Sequence, residues 1–151
     1  MSFLFWKKDK NEKVTEKEIK TNSAALFKLD EDSGEYVAEI AGINVTINSC
    51  TDDMVEYGKT VAEKYESCLP DIIEYILGNE VFGEEGEFYG VTTEQLKSSL
   101  NKPEIRLLAG NDRIPKTGVC TYCNQTLDDE HIFSFEFVNV FEDLDYFTID
   151  G

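Results

Sequence analysis

The sequence predicts an α+β fold, with an antiparallel sheet packed against one long and one short helix. Three observations carry this expectation. Apolar and polar residues alternate in short runs near both ends of the body, as in half-buried strands. Between them, apolar residues recur every three or four positions over residues 54–76, as on one face of a helix. Strands thus come first, helices in the middle and strands last, which is an α+β order and not the strict alternation of a parallel α/β sheet.

Residues 1–20 read as a separate basic and aromatic tail. Phe3, Leu4, Phe5 and Trp6 precede Lys7, Lys8 and Lys10, and a mixed-charge run continues to Lys20. Aromatics beside lysines suit weak contact with a membrane surface or a partner. The expected body, a single α+β domain over residues 21–151, opens with a strand over Ala25–Leu29. The acidic turn Asp30-Glu31-Asp32-Ser33-Gly34 follows. Two strands come next, Tyr36–Ile40 and Ile43–Ile47. Ile43, Val45 and Ile47 share one face of the second.

Asp52 or Asp53 is placed to cap the central helix. Met54, Tyr57 or Gly58, Val61, Tyr65, Cys68 or Leu69, Ile72 and Ile76 mark its apolar stripe, with Pro70 either inside one helix or joining two. Gly78 suits its C-terminal end. Glu80–Gly90 reads as a loop rich in Gly and Glu. Thr92 or Thr93 caps a short helix to Leu100, and Asn101-Lys102-Pro103 stops it. Strands are then expected at Ile105–Leu108, Gly118–Leu127, Ile132–Val138 and Tyr146–Ile149.

The chain has 151 residues, enough to bury roughly two-thirds of the unfolded surface. Ten Phe and seven Tyr supply a core, so the charge does not imply disorder. That charge is -17, from 14 Lys plus Arg against 31 Asp plus Glu. It is unevenly spread: the last Lys or Arg is Lys116, and eight acids follow it. Such a field repels nucleic acid and anionic lipid and attracts basic proteins and cations. The apolar run at residues 3–6 is too short for a secretory signal, and no run approaches the roughly 20 residues of a membrane span. The expected compartment is the cytoplasm, with Cys50, Cys68, Cys120 and Cys123 as reduced thiols.

Cys120 and Cys123 have the spacing of half a zinc site and are the candidate metal ligands. Their segment reads as a strand, on which positions three apart face opposite ways, so free thiols are the better reading and no metal or other cofactor is expected. Redox chemistry would need a helix start after Cys123 to lower the thiol pKa, and none is predicted. Asp30–Glu35 is similar to a calcium loop, but its glycine falls one position early and position 12 is Ala41. His131 is the single histidine, inside Asp128-Asp129-Glu130-His131. It is the candidate acid–base residue, set against the commoner role of a structural hydrogen-bonder. There is no phosphate-binding glycine loop, nucleophile elbow, HExxH or Rossmann fingerprint. The acidic clusters Glu84-Glu85-Glu87, Asp128-Asp129-Glu130 and Glu142-Asp143-Asp145 are solvated faces or docking surfaces for a basic partner.

The order of elements, the segments TTEQLKSSL and IRLL, and the ending LDDEHIFSFEF…LDYFTIDG resemble an uncharacterised bacterial family, domain of unknown function 2262. The resemblance spans about residues 34–151. This sequence differs in lacking tryptophans in the helical part and in having Glu130 before the histidine. The resemblance implies an α+β bacterial domain with no established activity, and it points to His131 with Asp128 and Asp129 as the place to look.

The function expected is therefore an acidic protein-binding module, of the immunity or inhibitor type, acting on a basic protein partner. Its expected binding residues are Asp128, Asp129, Glu130, His131, Glu142, Asp143 and Asp145. Nucleic-acid binding is not expected. The rival readings are a DNA mimic, a small enzyme using His131 with nearby carboxylates, and a membrane-proximal partner docked by Phe3–Trp6.

Overall fold

The computed structural model describes residues 26–84 and 88–151. The segment 1–20, with Phe3–Trp6, lies outside the described residues, as do Ala25, Glu85 and Glu87. Among the described residues, seven strands form one sheet in chain order. They are β1 (Lys28–Asp30), β2 (Glu35–Ile40), β3 (Ile43–Ile47), β4 (Glu104–Leu108), β5 (Thr117–Tyr122), β6 (Ile132–Val138) and β7 (Glu142–Asp150). Helix α1 (Asp52–Leu77), a π-helical turn (Glu80–Glu84) and helix α2 (Thr93–Leu100) lie between β3 and β4. The α+β class and its one long and one short helix are those the sequence indicates.

The sheet is antiparallel except at one place, where β3 and β4 pair parallel. Parallel neighbours need a long crossover rather than a hairpin, and the helical segment supplies it. The helices are therefore the connection that lets the two antiparallel halves of the sheet join.

Thr51 starts α1, its hydroxyl accepting the Met54 N–H at 3.1 Å. This makes Asp52 and Asp53 first-turn residues, where their charge suits the positive end of the helix dipole. The helix runs through Pro70 without a break. An interior proline costs about 3 kcal/mol. Burial on both sides of it, of Tyr65 and Leu69 before and Ile72, Ile73 and Ile76 after, outweighs that cost. Thr92 and Gln95 form a reciprocal capping box at the start of α2.

One face of the sheet is buried. Val45, Ile47, Ile105, Leu107, Cys120, Phe133, Phe135 and Phe137 join the stripe of α1 in a continuous core. Tyr65 and Tyr122 bring their hydroxyls into it and satisfy each other at 2.8 Å. The other face is different. Val37, Thr46, Arg106, Val119, Glu136 and Asp145 are successive cross-strand neighbours along it. Every one is half-buried or exposed. Among the described residues no helix covers this face.

Several boundaries differ from the sequence expectation. The first strand is Lys28–Asp30, because Phe27 turns into the core instead of extending the strand. β5 stops at Tyr122, not Leu127, because the chain turns at Cys123 and Asn124 into the loop described below. β7 begins at Glu142, four residues before Tyr146, so its acidic cluster is part of the sheet. The segment after α1 opens with a π-helical turn in which Phe82 is buried.

Gly118 is a buried glycine at a close contact in the core. A Cβ there would lie 2.3 Å from Phe137 Cζ and 2.7 Å from Leu107 Cδ2. Gly118→Ala is expected to destabilise the fold by about 1–3 kcal/mol through overpacking. Urea unfolding measures this, and an unchanged midpoint would contradict the described packing.

Candidate functional site

The β5–β6 loop, residues 123–131, holds the densest polar network in the described chain. Gln125 is its buried centre, only 6% exposed. Its Nε2 donates to the His131 carbonyl at 2.8 Å and to Asp128 Oδ1 at 2.9 Å. Its Oε1 accepts the Leu127 N–H at 2.8 Å. One side chain thus replaces the ladder partners that the backbone loses when β5 ends.

Asp128 is the second hub. Its Oδ1 accepts the N–H groups of Glu130 and His131, and its Oδ2 lies 2.6 Å from His131 Nδ1. Burial of the carboxyl works against its charge. The hydrogen bonds from His131, Gln125 and the two backbone N–H groups outweigh burial and hold it well below the usual carboxylate range.

The surroundings fix the imidazole. Phe88 meets the His131 ring edge-on at 5.8 Å, and Phe88 stacks on Phe82 at 5.0 Å. Gly151 closes the other side, where a Cβ would lie 2.9 Å from His131 Cδ2. The loop is also tied to α2, since the Thr126 N–H bonds the Ser99 carbonyl at 2.8 Å. An oriented Asp–His pair is the arrangement that general-base chemistry uses. Here the same carboxylate also closes the turn, which serves a structural role equally well.

The other expected site residues are dispersed. Asp129 and Glu130 are exposed on the same loop as Asp128 and His131. Glu142 and Asp143 lie at the far, turn end of the β6–β7 hairpin, where Val138 pairs with Glu142; Asp145 pairs with Glu136 partway along it, and Ile132 next to the loop pairs with Asp150. At ~3.3 Å per residue, Glu142 is about 20 Å along the hairpin from the loop end at Ile132, and Asp145 about 13 Å. The seven expected binding residues therefore do not form one patch.

Cys120 is buried in the core, where burial pushes its thiol up. Cys123 is exposed in the turn, with its thiol raised by burial and by Glu104. The pair thus spans a strand end, and not a single strand as its sequence suggests. All four cysteines are free. Among the described residues, no three His, Cys, Asp or Glu side chains are grouped to hold a metal ion. No described helix is long and apolar enough to cross a membrane.

Sequence reasoning missed Gln125, and it missed the uncovered sheet face. A glutamine in a loop carries no pattern of its own. The face was partly visible in the alternation of Glu104 and Arg106 with Ile105 and Leu107. Arg106 reaches across to Glu35 with two hydrogen bonds, its Nε donating at 3.2 Å. The pair borders a shallow trough of about 530 Å³ that also includes Asp30, Thr46, Glu104 and Thr121.

No protein-family model, curated protein or solved structure matches this chain.

Two outcomes are expected at the loop. Gln125→Leu should cost about 1–3 kcal/mol by leaving the Leu127 N–H and the His131 carbonyl without their partner, read by chemical denaturation. Asp128 sets an acid limit. Because its folded pKa is depressed, the unfolded chain takes up the proton first as pH falls through about 4. The network's contribution is thus complete above that pH and drains away below it. Asp128→Asn should flatten the loss of stability between about pH 5 and 2.5, and slopes equal to those of the unsubstituted protein would rule the network out as its cause.

Proposed function

We propose that this protein is a binding module for a basic protein, acting as an inhibitor or immunity-type partner in the cytoplasm. The observation that carries this reading is the solvent-facing side of the sheet. A sheet face made only for solvent is polar throughout. This one interleaves carboxylates with half-buried Val37, Val119 and Val138. Patches that mix apolar area with one sign of charge suit protein partners.

The charge is asymmetric along the face. Arg106 is engaged by Glu35 on the β4 side. Beyond it, the β6–β7 side carries Glu136, Glu142, Asp145 and Asp150, and no Lys or Arg follows Lys116 in the chain. A basic partner gains on-rate from the long-range field and register from the local carboxylates. A second copy of the chain, also at -17, would be repelled.

The reading is tested by affinity chromatography from native lysate of the source cells, after nuclease treatment, at two salt concentrations. The expected result is one stoichiometric basic protein that is held at low salt and released at high salt. The double variant Glu136→Gln, Asp145→Asn should weaken its capture. Capture that ignores both salt and these substitutions would defeat the charge-based reading.

A further inference from the structure

The trough on the uncovered face begins at the strand where the described chain enters the sheet. We infer that residues 3–10 of this same chain dock in that trough, with Phe3–Trp6 on Val37 and Val119 and the lysines toward the carboxylates at its margin, so that a basic partner must displace them. This builds on the reading under Proposed function, that the face takes basic segments, and is tested separately from it.

The trough, of about 530 Å³, runs from Asp30 on β1 to Val119 and Thr121 on β5. Val37, Thr46 and Val119 are half-buried within it, and Asp30 and Glu104 are exposed. Glu35 is taken by Arg106. Among the described residues no Lys or Arg pairs with Asp30 or Glu104. The surface thus offers apolar area with two carboxylates open to a cation, which suits a segment that is apolar and basic at once.

The chain carries such a segment. Phe3, Leu4, Phe5 and Trp6 are consecutive, and Lys7, Lys8 and Lys10 follow with only Asp9 among them. The described chain starts at Leu26, and Lys28 pairs with Val37 of the trough. Twenty residues lead from Trp6 to Leu26, at most about 70 Å of chain. The trough spans four strand spacings, about 19 Å, so the reach is ample. Two other recesses suit the segment less. One is lined by Leu77, Phe82 and Tyr89, and Phe82 packs on Phe147 of β7, at the opposite edge of the sheet from β1. The other presents Lys116, already paired with its Asp53 at 3.0 Å.

A four-residue apolar patch with exposed, salt-screened charges is on the order of a millimolar ligand. A short tether holds it at about a millimolar effective concentration. The contact is then made about half of the time, so Val37 and Val119 stay within reach of solvent, and a partner's affinity falls about twofold.

Trp6 is the single tryptophan, so its ring reports the contact in the full chain. At low salt its emission should lie to the blue of free tryptophan at every protein concentration. Overhauser contacts from the indole should fall on the methyl groups of Val37 and Val119. Trp6→Ser should raise relaxation of those methyl groups by a gadolinium chelate roughly twofold, leave Val138 as it was, and tighten capture of the basic partner. Asp30→Lys with Glu104→Lys should return the emission to that of free tryptophan, and unchanged amide shifts at Val45 and Val61 verify that this variant folds. Three results would each overturn the inference: Overhauser contacts from Trp6 to Leu77 or Tyr89, a blue shift that appears only as protein concentration rises, or an indole as exposed as free tryptophan. None of them touches the charge-based reading, which the lysate capture decides. Loss of that capture with the Trp6 contacts in place would remove the partner and keep the docked segment.

Discussion

The structure depends on one contact: the apolar stripe of α1 laid across a single face of the sheet. That contact buries Val45 and Ile47 of β3 together with Val61, Tyr65 and Ile72 of the helix. It also dictates the topology. A helix lying over the sheet between two strands makes those strands parallel neighbours, as β3 and β4 are. The hairpins on either side can then stay antiparallel and short. Because both helices are spent on one face, none is left among the described residues for the other.

The two faces follow from period-two alternation applied strand after strand. Ile105 and Leu107 point inward, so Glu104 and Arg106 must point outward. Phe133, Phe135 and Phe137 point inward, so Ser134 and Glu136 cannot. An aromatic core on one side and a mixed acidic surface on the other are two consequences of the same sequence pattern. The proposed function uses the second and is held in place by the first.

Most of the fold was legible because it rests on periodicity. The helical stripe from Met54 to Ile76 and the alternation of Ile43, Val45 and Ile47 are strong local signals. The short helix was marked by a threonine at its start, Thr92 or Thr93, and by the stop at Asn101-Lys102-Pro103. What was not legible depends on partners far apart in the chain. Nothing near β3 reveals that β4, more than fifty residues on, will lie parallel to it. The end of β5 is set by Gln125, whose role exists only when Asp128 and His131 fold back onto it. At the candidate sites, the pairing of Asp128 with His131 was within reach, since the two are three residues apart. The separation of that loop from Glu142 and Asp145 was not, because it is fixed by the antiparallel register of β6 and β7.

The central claim is that the face opposite the helices is open to solvent. Solvent paramagnetic relaxation of valine methyl groups, induced by a neutral gadolinium chelate, tests this directly on the full chain. The account predicts strong relaxation at Val37, Val119 and Val138 and little at Val45 and Val61, which are fully buried. Protection of Val119 comparable to that of Val45 would mean that the face is covered, and it would contradict the account.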